Sequence, residues 1–423
     1  MDKKRIIVAI CLILISLGAF AQTKKHTYQS LSQKDMDEID EMMFNRSVSS
    51  FIVSQSIPIG PINLTNVLNT VSYNPVEGTR IRLSAETNNK AFSSIKALKN
   101  RLALSGMIAY GTKDNRIKYA VGAAFNFAKK PKGVYSFPCS TLTINWEDNT
   151  YSPSYSNYDI AYLSYATWDR FYFARKQQLS VYFLQEFKNH LSLRPYAYYG
   201  HINSYILYDN EQLIEQLDPA YDYINKAFGM EVAYSQSTNA FSIANNLSSR
   251  FYSLPTRFSL NYSYNLQSYI NDKQYSKLEA KIQHRFVFKP LALDFRIVGG
   301  TILGSSNHYM YFTPNYMANA VSNTFGFNLY SPYTVAFKHY VQTFTQLNLG
   351  GILLDNIGFL REFRPNEFIN LKALLTPDSD PYLEVGVGID HIFSFFGLEF
   401  VYRLTKEGPY NMPTYALKLR CNI

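Results

Sequence analysis

Residues 78–88 read Gly78-Thr79-Arg80-Ile81-Arg82-Leu83-Ser84-Ala85-Glu86-Thr87-Asn88, preceded by Tyr73-Asn74-Pro75-Val76-Glu77. Successive side chains of an extended chain point to opposite sides. Ile81, Leu83 and Ala85 therefore share one face, and Arg80, Arg82, Ser84 and Glu86 share the other. Asn74, Pro75 and Gly78 supply turn chemistry just before the strand, since Pro fixes its own φ and Gly accepts a positive one. A strand so divided needs apolar surroundings on one side and water or counter-charges on the other.

The pattern recurs along the chain. Lys277–Phe286 sets Leu278, Ala280 and Ile282 against Lys277, Glu279, Lys281 and Arg285. Tyr382–Asp390 sets Leu383, Val385, Val387 and Ile389 against Glu384, Gly386, Gly388 and Asp390. Leu398–Leu404 opposes Leu398, Phe400 and Tyr402 to Glu399 and Arg403, and Tyr415–Arg420 opposes Tyr415, Leu417 and Leu419 to Lys418 and Arg420. In a dry sandwich core each unpaired charge would be very costly. A wide barrel removes that cost if the polar face lines a water-filled lumen and the apolar face meets lipid. The pattern predicts an all-β transmembrane antiparallel barrel of about 16 strands, with the thirteen residues Arg80, Arg82, Glu86, Lys277, Glu279, Lys281, Arg285, Glu384, Asp390, Glu399, Arg403, Lys418 and Arg420 facing the lumen. Among the strands so placed are 66–73, 134–146 and 333–347.

The N-terminus has Lys3, Lys4 and Arg5 ahead of an apolar run from Ile6 to Leu17, then Ala19-Phe20-Ala21. This is the pattern of a secretory signal peptide at residues 1–21, cut near Ala21. The run is shorter than the roughly 20 residues a spanning helix needs. Residues 22–62 then form a periplasmic entry segment, with Ser32 and Asp35 resembling a capping box and Met36, Ile39, Met42 and Met43 spaced for one short helix. The barrel occupies 63–423. Connections at 147–176, 206–224 and 304–332 are long and fit an extracellular end. Two long ones, 237–255 and 348–365, fall on the nominally periplasmic side. The second carries Gly350-Gly351-Ile352-Leu353-Leu354, which reads as an interfacial loop or a lumenal constriction.

Composition agrees with a wall facing lipid on one side. The chain has 35 Tyr and 30 Phe but only 17% charged residues, and its mean hydropathy is close to zero. Net charge falls from +9 to +7 once Lys3, Lys4, Arg5 and Asp2 leave with the signal. No basic cluster or motif gives that excess a nucleic-acid partner. Cys139 and Cys421 are too few for a disulfide framework. No GxSxG, P-loop, HExxH or CxxC motif occurs, and the seven histidines are scattered. For surface lipolysis, His284 and His339 are the only candidates. The expectation is a protein that is not an enzyme, needs no cofactor or metal, and has outer-membrane lipid and envelope proteins as partners.

The hexapeptide Tyr73-Asn74-Pro75-Val76-Glu77-Gly78, with Ala109-Tyr110-Gly111-Thr112-Lys113-Asp114 and Arg116-Ile117-Lys118-Tyr119, resembles a Bacteroidota outer-membrane family labelled as a domain of unknown function. Ser331-Pro332-Tyr333, Gly351-Ile352-Leu353-Leu354 and Tyr382–Ile389 carry the resemblance on. It implies an outer-membrane barrel distantly similar to the surface-antigen superfamily of insertases and translocases, commonly behind a carboxypeptidase-regulatory-like sandwich. The entry segment, about 40 residues, is too short for that sandwich or for periplasmic substrate-binding repeats. The 304–332 connection also lacks the Arg-Gly-aromatic motif such barrels place inside. Both departures count against insertase activity. The resemblance makes Asn74, Pro75, Val76, Glu77 and Gly78 a family signature, read here as a structural surface turn. The function expected is envelope assembly or passage of material across the outer membrane of a Gram-negative bacterium. The alternative is a scaffold with its lumen plugged by its own loops.

Overall fold

The computed structural model describes residues 56–65, 70–74, 77–151, 173–205, 222–235, 256–268, 273–288, 290–304, 311–312, 314, 322, 324–330, 337–358, 365–377, 379–392, 396–405 and 414–421. The helix expected in the entry segment lies outside them. Among the described residues no helix is long and apolar enough to cross a membrane, a test that does not bear on strands.

Among the described residues eighteen strands form one sheet. They are β1 (Ile57–Ile59), β2 (Ile62–Thr65), β3 (Val71–Asn74), β4 (Gly78–Thr87), β5 (Leu102–Gly111), β6 (Ile117–Asn126), β7 (Ser140–Tyr151), β8 (Phe173–Glu186) and β9 (Leu191–Tyr205). The series continues with β10 (Asp222–Ser235), β11 (Arg257–Ser268), β12 (Lys273–Phe288), β13 (Leu291–Gly304) and β14 (His339–Asn348). It ends with β15 (Asn366–Thr376), β16 (Ser379–Ile392), β17 (Phe396–Arg403) and β18 (Tyr415–Cys421). From β4 to β18 every strand pairs antiparallel with the next in sequence. β2 and β3 ladder onto the same edge of β4, Thr65 opposite Ser84 and Val71 opposite Ile81. Counted as one interrupted lane, with the three-residue β1 set aside, they leave sixteen lanes, the number expected from the alternation.

The two faces divide as the alternation requires. Ile81, Leu83, Ile108, Val121, Phe228, Val387, Phe400 and Leu417 are exposed on one side. Arg80, Ser84, Lys118, Gln283, Asp294, Arg296 and Glu384 are buried on the other. The sheet is thus a barrel with an apolar outer wall and a polar inner one, an arrangement suited to lipid outside. The long connections 152–172, 206–221 and 305–338 leave one end, here the long-loop end. At the other, 187–190 and 289–290 are tight, but the connections after β10 and β14 are long there too. The strand count therefore does not slip at 236–256 or 349–365.

Three sequence expectations need correction. The strand placed at 333–347 is β14, beginning only at His339, with 333–336 outside the described residues. The strand placed at 134–146 is β7, beginning only at Ser140. Val134, Tyr135 and Phe137 have strand-like composition, but they belong to a turn. Asn126 Nδ2 and Thr141 Oγ1 both donate to the Val134 carbonyl at 2.8 Å, while the Val134 side chain packs on Ala103 and Ala124. Side-chain capping there outbids the ladder. The strand placed at 66–73 is instead the β2–β3 lane. In the same turn Cys139 is a free, buried thiol, and burial above all pushes its pKa up to about 11, which keeps it neutral and unreactive.

A charge on the outer wall should be far more damaging than one inside. Val387→Arg is expected to lower stability by about 2–4 kcal/mol, read from the urea dependence of heat-modifiable gel migration in phospholipid vesicles.

Candidate functional site: the inner wall and its inserted segment

Inward side chains of β14–β18 clasp residues 322 and 324–330, part of the connection from β13 to β14. Phe327 is fully buried, packed at 5.1 Å from the Phe344 ring and 5.5 Å from the Tyr382 ring. Tyr330 stands edge-on to Tyr382 at 5.0 Å. With Phe312, Phe337 and Tyr340 they form the largest apolar cluster among the described residues. Phe312 and Phe337 exchange backbone hydrogen bonds of 2.8 and 2.9 Å.

A buried backbone needs partners for its N–H and C=O groups, and here wall side chains supply them. Glu384, fully buried, accepts the N–H groups of Asn328 at 2.8 Å and Leu329 at 2.7 Å, and the Tyr382 hydroxyl at 2.6 Å. Lys372 Nζ donates to the Gly326 carbonyl at 2.7 Å. The Arg296 guanidinium lies 3.8 Å over the Phe325 ring. Ser322 N–H donates to the Leu419 carbonyl at 2.6 Å.

Below this clasp Arg420 joins four strands and the segment. It pairs with Asp390 at 3.1 Å and approaches Glu399 at 3.9 Å. It donates to Gln346 at 2.7 Å and to Thr324, and stacks 4.2 Å over Phe368. Glu399 also accepts from Asn370 Nδ2 at 2.8 Å. A Cβ at Gly386 would collide with Glu399 Oε1, and one at Gly388 would lie 2.5 Å from the Phe368 ring. The two glycines make the socket in which these groups sit.

The signature turn builds a second knot at the long-loop end. Asn74 pairs with Gly78 across the hairpin, and Pro75 and Val76 lie outside the described residues. Gly78 has φ +69°, with a Cβ there 2.7 Å from Thr112 Oγ1. Glu77 is fully buried between Lys118 at 2.7 Å and Arg80 at 3.2 Å. Lys118 also meets Asp114 at 2.5 Å, and Arg80 donates to Asn149 at 2.7 Å. The turn thus carries the carboxylate that gathers two inward cations.

The other sequence-predicted residues are spread around the wall. Lys277 lies 4.2 Å over the Phe312 ring, and Glu279 accepts from the Tyr340 hydroxyl at 3.0 Å. Arg285 Nη2 donates to Asp294 at 2.6 Å. Arg82, Glu86, Lys281 and Arg403 are half-buried, and Lys418 is buried. Sequence reasoning passed over Lys372, although Ile369, Asn370, Leu371 and Lys372 alternate as plainly as the strands singled out. It had no signal for Phe325–Leu329, whose environment comes from distant strands.

His284 and His339 are not brought together. His284 Nδ1 shares a hydrogen with Thr256 Oγ1 at 2.6 Å, against the Phe286 ring at 4.4 Å. His339 Nδ1 does the same with Thr301 Oγ1 at 2.7 Å. Among the described residues no three of His, Cys, Asp and Glu converge where a metal ion could bind. The Gly351–Leu354 stretch is tied to the start of β15. The Leu353 N–H donates to Glu367 at 3.1 Å, and Ile352, Leu353 and Ile357 are exposed at the short-turn end.

Residues 55–389 match the family model described as the C-terminal domain of a family of unknown function, DUF5686. The chain belongs to this family. No curated protein matches it by sequence. Its fold is similar to that of BamA from Haemophilus ducreyi lacking POTRA domains 1–3, with a TM-score of 0.50 at 9% identity, over 82% of this chain and 69% of that one. CdiB from Acinetobacter baumannii aligns at a TM-score of 0.43 and 9% identity, over 82% of this chain and 57% of its own. The BamA match shows that this family member's sheet shares the fold of that barrel.

Glu384→Ala would leave the Asn328 and Leu329 amides buried without acceptors, at about 1–3 kcal/mol each. Hydrogen exchange at those two amides is expected to accelerate at least about tenfold, with the β8–β9 ladder unchanged. Glu77→Ala removes the counter-charge of two buried cations and is expected to cost about 3 kcal/mol, read as a lowered urea midpoint.

Proposed function

We propose that this family member is an outer-membrane barrel serving envelope assembly or the transfer of material, and that its lumen is closed at rest by its own inserted segment, residues 322 and 324–330. The observation carrying this reading is the segment's attachment. Its backbone is satisfied by Glu384 and Lys372, ionisable groups on the wall. An attachment made of a few charged contacts can be released as a unit when a partner or solute competes for them. The apolar outer wall supports lipid as the immediate surrounding, and the long-loop end is then the cell exterior. Nucleic acid has no place in this reading. Neither does catalysis: His284 and His339, the two histidines considered for lipolysis, each share a hydrogen with a threonine hydroxyl.

Single-channel recording in planar bilayers tests it. The wild-type protein is expected to be nearly silent, and a Glu384→Ala/Lys372→Ala variant to conduct severalfold more. Steady, large openings of the wild type would overturn the closed-lumen reading. Silence of both proteins would favour a scaffold whose surface loops bind partners.

A further inference from the structure

At the short-turn end, three connections of the β4–β9 sector carry an unusual balance of charge. Residues 88–101 hold Lys90, Lys96, Lys99 and Arg101; residues 127–139 hold Lys129, Lys130 and Lys132; residues 187–190 hold Lys188. The three stretches contain no Asp or Glu. All seven lysines are exposed. The bordering carboxylates turn away: Glu186 is buried, accepting the Cys139 N–H at 3.0 Å, and Glu86 is half-buried on the inner face of β4.

The connections are built into one platform. Asn89 Nδ2 donates to the Lys132 carbonyl at 3.3 Å, Asn100 Nδ2 to Pro131 at 3.4 Å, and Arg101 to Asn126 at 3.2 Å and Lys129 at 2.9 Å. The Phe137 ring stacks on His190 at 5.4 Å. Arg101 is thus spent on holding the turns together, and the lysines are left to project. Between them stand exposed Ile95, Phe127, Tyr135 and Phe187. Phe127 and Phe187 directly follow β6 and β8 and continue the apolar outer wall, with Leu104 of β5, to the edge of the platform.

Aromatic and aliphatic side chains at the rim of an apolar wall, with long cationic ones just beyond, match the layered chemistry of a lipid headgroup region. Clustered lysines there attract anionic lipid. We propose that this platform binds the phosphate headgroups of anionic phospholipids in the leaflet that surrounds the short-turn end. The proposal rests on the outer-membrane reading above, in which that leaflet is the periplasmic one.

The test uses the full chain in vesicles of phosphatidylcholine with or without phosphatidylglycerol, extracted with the lipid it retains, and counted by native mass spectrometry. The comparison is the combined variant Lys90→Gln, Lys96→Gln, Lys99→Gln, Lys129→Gln, Lys130→Gln, Lys132→Gln and Lys188→Gln, its folding checked by heat-modifiable migration. The wild type is expected to retain phosphatidylglycerol over phosphatidylcholine by about tenfold or more, the preference shrinking as salt rises. The variant should lose most of it. Equal retention by the wild type, or an undiminished preference in the variant, overturns the proposal. So does wild-type protein that ignores phosphatidylglycerol but binds a polyglutamate peptide, which would make the platform a site for an acidic protein. Carbonate extraction separates the two levels: protein that washes off the vesicles sinks the membrane reading and this inference together. Protein that stays inserted without lipid preference sinks this inference alone. If the variant misfolds, the salt dependence of the wild-type preference decides by itself.

Discussion

An ionised side chain removed from water must find an opposite charge or a set of hydrogen bonds, or the fold that buries it is lost. Lys372, Glu384, Asp390, Glu399, Lys418 and Arg420 on the inward face of β15–β18 all pose that problem, because the outward positions are committed to apolar side chains. The solution is collective. Glu384 is neutralised by no single partner but spends its oxygens on backbone amides and a phenol, while Arg420 is shared among Asp390, Glu399, Gln346 and Thr324. The inserted segment is therefore part of the solution. Without it Lys372 and Glu384 would face a different environment, and Phe344 and Tyr382 would lose their aromatic partners.

The wall itself was legible in the sequence because its cause is local. The two-residue period in Arg80–Glu86 or Leu383–Asp390 depends only on neighbours along the chain, so lane number and facing follow from it. Where the reading failed, something non-local or side-chain-driven intervened. Val134, Tyr135 and Phe137 resemble a strand until Asn126 and Thr141 cap the Val134 carbonyl. A water-filled interior was the simplest home for inward charges. The aromatic residues that fill part of it belong to a connection with no periodicity to betray its destination. Glu77 was noticed as one letter of a turn, whereas its burial beside Lys118 and Arg80 requires strands that meet only in the barrel.

The similarity to BamA at 9% identity follows from the same physics. A barrel wall asks each lane for apolar side chains outside and mutually satisfied polar ones within, and many sequences meet that demand. What distinguishes one member from another is then the particular set of inward groups and the connections they hold.

The paired glycines of β16 bear on how such a set can change. Gly386 makes room for Glu399 and Gly388 for Phe368, so four positions on three strands share one volume. A side chain gained at 386 or 388 needs a simultaneous loss at 399 or 368. Relatives that carry larger residues at the two glycines should therefore carry smaller ones opposite, and lineages would move between the two packings by paired substitutions instead of single steps. Since Arg420 rests on both Phe368 and Glu399, each such exchange would also reset the grip on the inserted segment. Variation in this socket is then a means by which the family could tune how firmly the inserted segment is held.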